Sequence, residues 1–214
     1  MIRFISLPVL LGVITILPAG TFNYWELYVY IGTILVTMLY ALWFFLKNDV
    51  QFLESRMRMK EKEKHQSFIQ TLFSVFVLSG FILCGLDKRF EWSVIPAYLV
   101  LLADMVVFFG YIIIITVFKQ NSYASRTVEI ENDQPVISNG LYSIVRHPMY
   151  IGVLIMFTLT PLALGSYWGL IPMSVVPVAL ILRIINEEKF LIENLPGYSD
   201  YCQKIRYRLI PFLW

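Results

Sequence analysis

The chain has 214 residues, of which 58% are apolar and only 15% are charged. A water-soluble domain has about 25% charged residues, so this composition excludes an ordinary soluble domain and indicates a membrane protein. The formal net charge of +2 does not indicate a nucleic-acid partner, and the two cysteines, Cys84 and Cys202, offer neither a zinc-binding spacing nor a disulfide framework.

Six apolar segments approach the roughly 20 residues that are needed to cross a bilayer. They lie at about 4–20, 24–46, 67–86, 94–118, 148–164 and 167–185. The first follows Arg3 as a secretory signal would, but the next segment begins within a few residues, which favours a retained anchor. The sequence therefore predicts an all-α integral membrane protein with about six transmembrane helices.

Lys and Arg are unequally distributed between the two predicted faces. Fifteen of the 17 lie on the side of the N-terminus, and the other two are Lys88 and Arg89. The positive-inside rule then places both termini, the 47–66 loop and the 119–147 stretch in the cytosol. The mixed-charge 47–66 loop, with apolar residues between the charges, suits either a helix on the inner leaflet or a solvated connector.

The last two segments are joined only by Gly165 and Ser166, and prolines interrupt both of them. They are therefore predicted to form a tight, kinked hairpin over 148–185. We expect a four-helix bundle over 1–118 and a functional region over 119–214. In that region the 119–147 loop and the C-terminal tail lie on the same face and together close a cytosolic site.

Polar residues converge in the stretch NGLYSIVRHPMYIG, at the start of the fifth segment. Pro148 suits the first turn of a helix, so Arg146 and His147 would lie at the helix N-terminus. Free amides and the positive end of the helix dipole bind small anions there. Gly152 permits close approach of another group. Alternatively, these residues only mark the membrane boundary, and Tyr150 belongs to the interfacial aromatic belt.

A second polar cluster marks the end of the sixth segment, where Arg183, Glu187 and Glu188 leave the membrane in succession. A surface ion pair between Arg183 and Glu187, worth about 0.2–0.5 kcal/mol, is a simple explanation. The predicted hairpin, however, brings these carboxylates next to Arg146 and His147. The two groups together would bind a zwitterionic ligand that has an α-amino group and an α-carboxylate group.

These motifs resemble the isoprenylcysteine carboxyl methyltransferase family, which includes prokaryotic members and is similar to the phospholipid N-methyltransferases. The resemblance rests on the RHPMYIG string, the Leu-Gly-Ser turn, the Arg-x-x-x-Glu-Glu helix end and the tail LPGYSDYCQKIRYRLIPFLW. It covers roughly residues 118–214, and the first four segments match only as generic membrane helices. It implies an integral membrane methyltransferase that uses S-adenosylmethionine without a Rossmann domain.

The resemblance also implies roles for residues that match the motifs. Arg146, His147 and Tyr150 would flank the cofactor and hold its carboxylate, and Glu187 and Glu188 would take its ammonium and ribose side. The preceding loop would line the cofactor pocket with Val136, Gly140, Leu141 and Tyr142.

Catalytic roles are implied for Arg183 and Glu188, and no metal is implied. The Arg183 guanidinium would orient an acidic methyl acceptor by a two-point contact. Glu188 or a water would be the general base for an acceptor that arrives protonated. The methyl acceptor would be lipophilic: an isoprenylcysteine-type carboxylate, a thiol or a lipid amine. Its tail would enter the site from the bilayer. The prokaryote-like stretch NSYASRTVEI favours a prokaryotic plasma membrane.

Two other functions also fit the sequence. An NADPH-dependent sterol or enone reductase of the membrane resembles this chain in its Arg-His-Pro-x-Tyr hairpin and its Tyr-Arg-Leu-Ile-Pro ending, but the Glu187–Glu188 pair would repel a dinucleotide phosphate. In a non-catalytic membrane protein the motifs would only end helices. The sequence leaves the acceptor and the oligomeric state open.

Asp104 is an anomaly, because it lies in the middle of the fourth apolar segment. A carboxylate at mid-bilayer costs about 2.5–3.5 kcal/mol on insertion scales, so it is expected to face the interior of the bundle. Two roles are open for it: a structural hydrogen bond between helices, or a part of the acceptor tunnel.

Overall fold

The computed structural model describes residues 2–50, 52–53, 64–123 and 134–214, with side chains from residue 6 and, in the third helix, from residue 68. Most of the predicted inner-leaflet helix over 47–66 lies outside these ranges. The helices are α1 (Ile2–Ala19), α2 (Trp25–Asn48), α3 (Lys64–Phe90), α4 (Ala97–Gln120), α5 (Pro148–Ala163), α6 (Leu170–Met173), α7 (Val175–Asn194) and α8 (Tyr198–Lys204). The described residues contain no strand, which confirms the all-α class.

Four helical stretches are long and apolar enough to cross a membrane: Trp25–Asn48, Phe68–Phe90, Ala97–Gln120 and Leu170–Asn194. The apolar helices Ser6–Ala19 and Pro148–Ala163 are shorter. A helix of 16 residues is only about 24 Å long, against about 30 Å of hydrocarbon. The predicted count of six spans therefore stays a prediction for the first and fifth segments.

The sixth predicted segment consists of two helices instead of one. The short α6 is followed by Ser174 and then by α7, which runs to Asn194, nine residues beyond the predicted end near 185. The predicted apolar segment ends near 185 because charged residues follow Arg183, and these residues continue the helix beyond the apolar run. The chain turns back after α5 through Gly165, whose φ of +73° suits glycine.

Helices α4 and α5 approach each other closely at two glycines. A Cβ atom added to Gly152 would lie 2.6 Å from the carbonyl oxygen of Gly110, and one added to Gly110 would lie 3.0 Å from the carbonyl oxygen of Gly152. Gly152 was expected to permit the close approach of another group, and that group is the α4 backbone. The crossing fixes the position of α5, which begins at the proline of the Arg-His-Pro-x-Tyr motif.

The hairpin turn is held at the end of the bundle away from that motif. The Tyr24 hydroxyl donates a hydrogen bond of 2.7 Å to the carbonyl oxygen of Leu164. Ser166 donates from its hydroxyl to the buried carboxylate of Asp87, and the same carboxylate accepts hydrogen bonds from the backbone and hydroxyl of Ser93. The hydrogen bonds to Asp87 hold the turn against the end of α3. They also satisfy the buried carboxylate within the protein.

Asp104 makes a hydrogen bond between two helices. Its Oδ2 atom lies 2.5 Å from the hydroxyl oxygen of Thr33, on α2. The residue is buried, as a carboxylate in the middle of an apolar helix is expected to be. Of the two roles considered for Asp104, this contact supports the structural one.

Candidate active site

The start of α5 is held by the C-terminal tail. Pro148 is the first residue of the helix and His147 precedes it as the N-cap. The backbone amide of Arg146 donates to the carbonyl oxygen of Tyr207, and that of His147 donates to the carbonyl oxygen of Arg208, both at 2.9 Å. These amides are thereby satisfied by the tail, and the tail lies against the motif as predicted.

Glu188 on α7 is the centre of a buried ionic cluster. Its Oε1 atom lies 2.7 Å from Arg146 Nε and 3.3 Å from His147 Nε2, while its Oε2 atom lies 2.6 Å from Arg208 Nε. The predicted meeting of the cationic start of α5 with the acidic end of the last long helix is therefore confirmed. A buried carboxylate requires such partners, because removing a charge from water is costly unless it is paired.

Tyr150, in the first turn of α5, connects a second set of charges. Its hydroxyl donates to Glu187 Oε2 at 2.5 Å and accepts from Arg183 Nε at 2.8 Å. The ring of Tyr150 also stacks near His147, with 5.7 Å between ring centroids. Arg183 and Glu187 are four residues apart on α7, and the phenol joins them from the neighbouring helix. Tyr150 is buried in this arrangement, so it is not a member of an exposed aromatic belt.

A pocket opens beside the ionic cluster. Its polar wall is formed by Arg146, His147, Tyr150 and Glu187. The other lining residues come mainly from the end of α4, the 134–142 loop, α7 and α8; they are Asn121, Tyr123, Gln134, Pro135, Val136, Ile137, Tyr142, Met149, Leu191, Leu195, Tyr198 and Tyr201. This polar pocket therefore joins charged groups on one side to aromatic and aliphatic surface on the other.

The loop before the motif contributes only part of the predicted lining. Val136 and Tyr142, which were predicted to line a cofactor pocket, line the polar pocket. Gly140 and Leu141 are not among its lining residues. A short 3-10 helix, Gly140–Ser143, turns them toward α4 instead, where the amide of Leu141 donates to Gln120 Oε1 at 2.9 Å. Gly140 has a φ of +58°, which suits glycine in this turn.

A second cavity, of about 360 Å³, lies between the helices on the other side of Tyr150. Its walls are mostly apolar and come from α3, α4, α5 and α7; they are Ile69, Gln70, Phe73, Ser74, Ile114, Phe118, Met149, Tyr150, Val153, Phe157, Ala179, Leu180 and Arg183. Met149 and Tyr150 line both cavities. This apolar cleft and the polar pocket therefore adjoin at the start of α5, and Arg183 lies on the cleft side of that boundary.

Among the site residues that were not predicted from the sequence are Arg208, Tyr198 and Tyr201. Arg208 pairs with Glu188, and both tyrosines line the polar pocket. The Tyr201 hydroxyl donates a hydrogen bond of 2.7 Å to the carbonyl oxygen of Tyr142, and burial raises the pKa of this phenol. The Pro196-Gly197 pair is the sequence signal for a turn at this point. In the structure Gly197 has a φ of +83°, and α8 begins at the next residue.

Comparisons with known proteins agree with this arrangement. Residues 98–196 match the model of the phospholipid methyltransferase family. A solved structure of a eukaryotic intramembrane Ras methyltransferase, isoprenylcysteine carboxyl methyltransferase, has the same fold, with a TM-score of 0.56 and 18% sequence identity over 95% of this chain and 74% of that one. No curated protein sequence matches the chain. These findings support a membrane methyltransferase: residues 98–196 are similar in sequence to phospholipid methyltransferases, and the fold is similar to that of isoprenylcysteine carboxyl methyltransferase.

Proposed function

We propose that the protein is an S-adenosylmethionine-dependent methyltransferase that acts on a lipophilic acceptor with an anionic head group. The observation that carries the proposal is the contact between the polar pocket and the apolar cleft at Met149 and Tyr150. A water-soluble donor and a membrane-dissolved acceptor require two such cavities with a common boundary, because they reach the site from different phases.

The residues of the polar pocket fit the methyl donor by their chemistry. Arg146 and His147 bring a guanidinium and an imidazole to the positive end of the α5 dipole, where the carboxylate of an amino acid is favoured. Glu187 provides a carboxylate for its ammonium group. Tyr142 and Val136 offer aromatic and aliphatic surface to the nucleoside. When bound, S-adenosylmethionine supplies an activated methyl group on a sulfonium.

Glu188 acts mainly by positioning Arg146 and His147 in this proposal. Its two oxygens are already engaged by three cationic side chains, so its buried charge is compensated within the protein. It keeps the His147 ring and the Arg146 guanidinium at the pocket wall. Direct contacts of Glu188 with the ammonium or ribose, and a role as general base, stay predictions.

The apolar cleft suits the hydrocarbon tail of the acceptor. It is bounded by α3, α4, α5 and α7, and its aromatic and aliphatic walls would bury a prenyl or acyl chain. Arg183 is at the boundary with the polar pocket, where the acceptor head must lie to receive the methyl group. No carboxylate belongs to the described residues that line this cleft. A cationic wall without a carboxylate favours an anionic acceptor over a lipid amine.

The chain's main contribution to catalysis is alignment. Methyl transfer from a sulfonium is an in-line displacement, and orientation of the two reactants contributes about 7–11 kcal/mol to such reactions. Arg183 would hold the acceptor anion by two parallel hydrogen bonds, and Tyr150 would fix the position of Arg183. Because the charges of an anion and a sulfonium cancel during transfer, exclusion of water by the apolar walls also favours the reaction.

The proposed orientation places the site on the cytosolic side. The distribution of 15 of the 17 basic residues on the side of the N-terminus supports it, and the motif residues lie at that end of the helices. In a prokaryotic cell the membrane would be the plasma membrane.

The proposal is tested by methyl transfer from isotopically labelled S-adenosylmethionine. The purified protein is incubated with membrane lipid extracts, with an S-prenylcysteine carboxylate and with phosphatidylethanolamine, and products are identified by mass spectrometry. We expect a labelled lipophilic ester or thioether that Arg183→Gln reduces at least tenfold. Label on an amine head group would contradict the anionic acceptor, and the absence of any labelled product across all three would contradict methyl transfer.

A further inference from the structure

Tyr198 is a residue of the polar pocket that neither the motifs nor the ionic cluster explains. It begins α8, directly after Gly197, and its ring packs with Leu195 and Tyr201 in a small hydrophobic cluster. The same ring lines the polar pocket. Packing accounts for the aromatic ring, but it does not account for the hydroxyl group.

The hydroxyl of Tyr198 is buried and has no hydrogen-bond partner within the part of the chain that the structure describes. The neighbouring Tyr201 differs in this respect, since its hydroxyl donates to the carbonyl oxygen of Tyr142. Buried hydroxyl groups of tyrosine usually have a partner, because an unpaired one loses its hydrogen bonds to water without replacement. At this position a phenylalanine would provide the same packing without that cost.

The charges around Tyr198 indicate which partner its hydroxyl would have. Glu188, Glu187 and Arg146 all act electrostatically on the phenol. Burial, with the two carboxylates, raises its pKa, so the group keeps its proton and remains a donor. Arg146 is the cation in this set, and it lines the polar pocket together with Tyr198. The Tyr198 hydroxyl is therefore near the guanidinium that the proposed function assigns to the ligand's carboxylate.

We propose that the Tyr198 hydroxyl donates a hydrogen bond to the carboxylate at the amino-acid end of the bound methyl donor. This inference rests on the proposed function. It adds a recognition residue from α8 to those on α5 and α7, so the amino-acid end would be held from three helices. It also gives a reason for a tyrosine where packing alone requires only an aromatic ring.

The test compares Tyr198→Phe with Tyr201→Phe in the full-length protein in detergent. Binding of S-adenosylhomocysteine and of 5′-methylthioadenosine, which lacks the amino-acid end, is measured by calorimetry, and melting temperatures are measured without ligand. A hydrogen bond to a charged group corresponds to about tenfold or more in affinity. We expect Tyr198→Phe to weaken S-adenosylhomocysteine binding about tenfold, to leave 5′-methylthioadenosine binding within twofold, and not to lower the melting temperature.

The matched variant serves as the structural reference. Tyr201→Phe leaves the carbonyl oxygen of Tyr142 without its donor, so we expect it to lower the melting temperature. Unchanged binding of S-adenosylhomocysteine by Tyr198→Phe would overturn the inference, as would an equal loss for both ligands. If the unaltered protein binds neither ligand, the proposed function fails first and this inference fails with it.

Discussion

The hydroxyl group of Tyr150 accepts a hydrogen bond of 2.8 Å from Arg183 Nε, at the boundary between the polar pocket and the apolar cleft. The same hydroxyl donates to Glu187. One phenol therefore fixes the relative positions of a cation that faces the cleft and a carboxylate that faces the pocket. This relationship defines where the methyl donor and the acceptor would meet.

Replacing Tyr150 by Phe is expected to lower the rate of methyl transfer about tenfold or more. The change removes both hydrogen bonds of the hydroxyl, and each is worth about 1.5–3 kcal/mol because its partner is charged. Initial rates with labelled S-adenosylmethionine measure the effect. Tyr98→Phe is the control, since Tyr98 is exposed near the start of α4. Equal rates in Tyr150→Phe and the unaltered protein would contradict the role of this phenol.

Arg183 is expected to affect the acceptor more than the methyl donor. Arg183→Lys keeps the charge but loses the planar two-point contact, so the KM for the acceptor should rise severalfold while S-adenosylhomocysteine binds within about twofold of its normal affinity. The two readouts separate the roles, because Arg183 lines the cleft and is not among the residues that line the polar pocket. A large loss of S-adenosylhomocysteine affinity with an unchanged KM would exclude the assignment.

Removing Arg208 is expected to weaken the ionic cluster. Arg208→Gln deletes the partner that lies 2.6 Å from Glu188 Oε2. The Arg208 side chain is 37% exposed, so we expect a modest destabilisation of about 1 kcal/mol, together with weaker binding of S-adenosylhomocysteine. Arg206→Gln makes the same charge change at an exposed position of the same tail. Equal melting temperatures and equal affinities for S-adenosylhomocysteine in the two variants would contradict the role of Arg208.

The crossing of α4 and α5 gives a prediction about packing. Gly152→Ala places a Cβ atom 2.6 Å from the carbonyl oxygen of Gly110, so the helices must separate and the protein should lose about 1–3 kcal/mol of stability. Gly12→Ala is the control, because nothing lies within 4 Å of a Cβ atom at that helical position. It should be neutral or stabilising. Thermal melting in one detergent compares the two, and equal melting temperatures would contradict the close crossing.

Asp104 is expected to affect stability and not substrate binding. It bonds to Thr33 and is not one of the residues that line the apolar cleft. Asp104→Asn should lower the melting temperature while the KM for the acceptor stays the same. A raised KM at unchanged stability would instead place this carboxylate in the acceptor path.

The sequence predicted the part of the site that depends on the hairpin. Arg146, His147 and Glu188 were expected to meet because the last two apolar segments are joined by a short turn, and the distances between their charged atoms confirm it. Gly140 and Leu141 stay predicted residues of the cofactor site, but they are not among the lining residues of the polar pocket. The 3-10 helix that turns them toward Gln120 has no clear signal in the sequence.

Two other features depend on contacts that composition does not specify. Arg208 joins the cluster because backbone carbonyl groups of the tail accept hydrogen bonds from the amides before α5, and such pairing leaves no side-chain pattern. The apolar cleft is assembled from α3, α4, α5 and α7. Its residues, such as Phe73 and Ile114, look like any other apolar residues of a membrane helix, so no motif identified them.

The most direct test of the central claim is calorimetric titration of the purified protein in detergent with S-adenosylhomocysteine and, separately, with NADPH. We predict that S-adenosylhomocysteine binds at one site per chain, that His147→Ala and Glu187→Gln each weaken this binding at least tenfold, and that NADPH gives no binding heat. Tight binding of NADPH without binding of S-adenosylhomocysteine, or full S-adenosylhomocysteine affinity in both variants, would contradict the assignment of the polar pocket to a methyl donor.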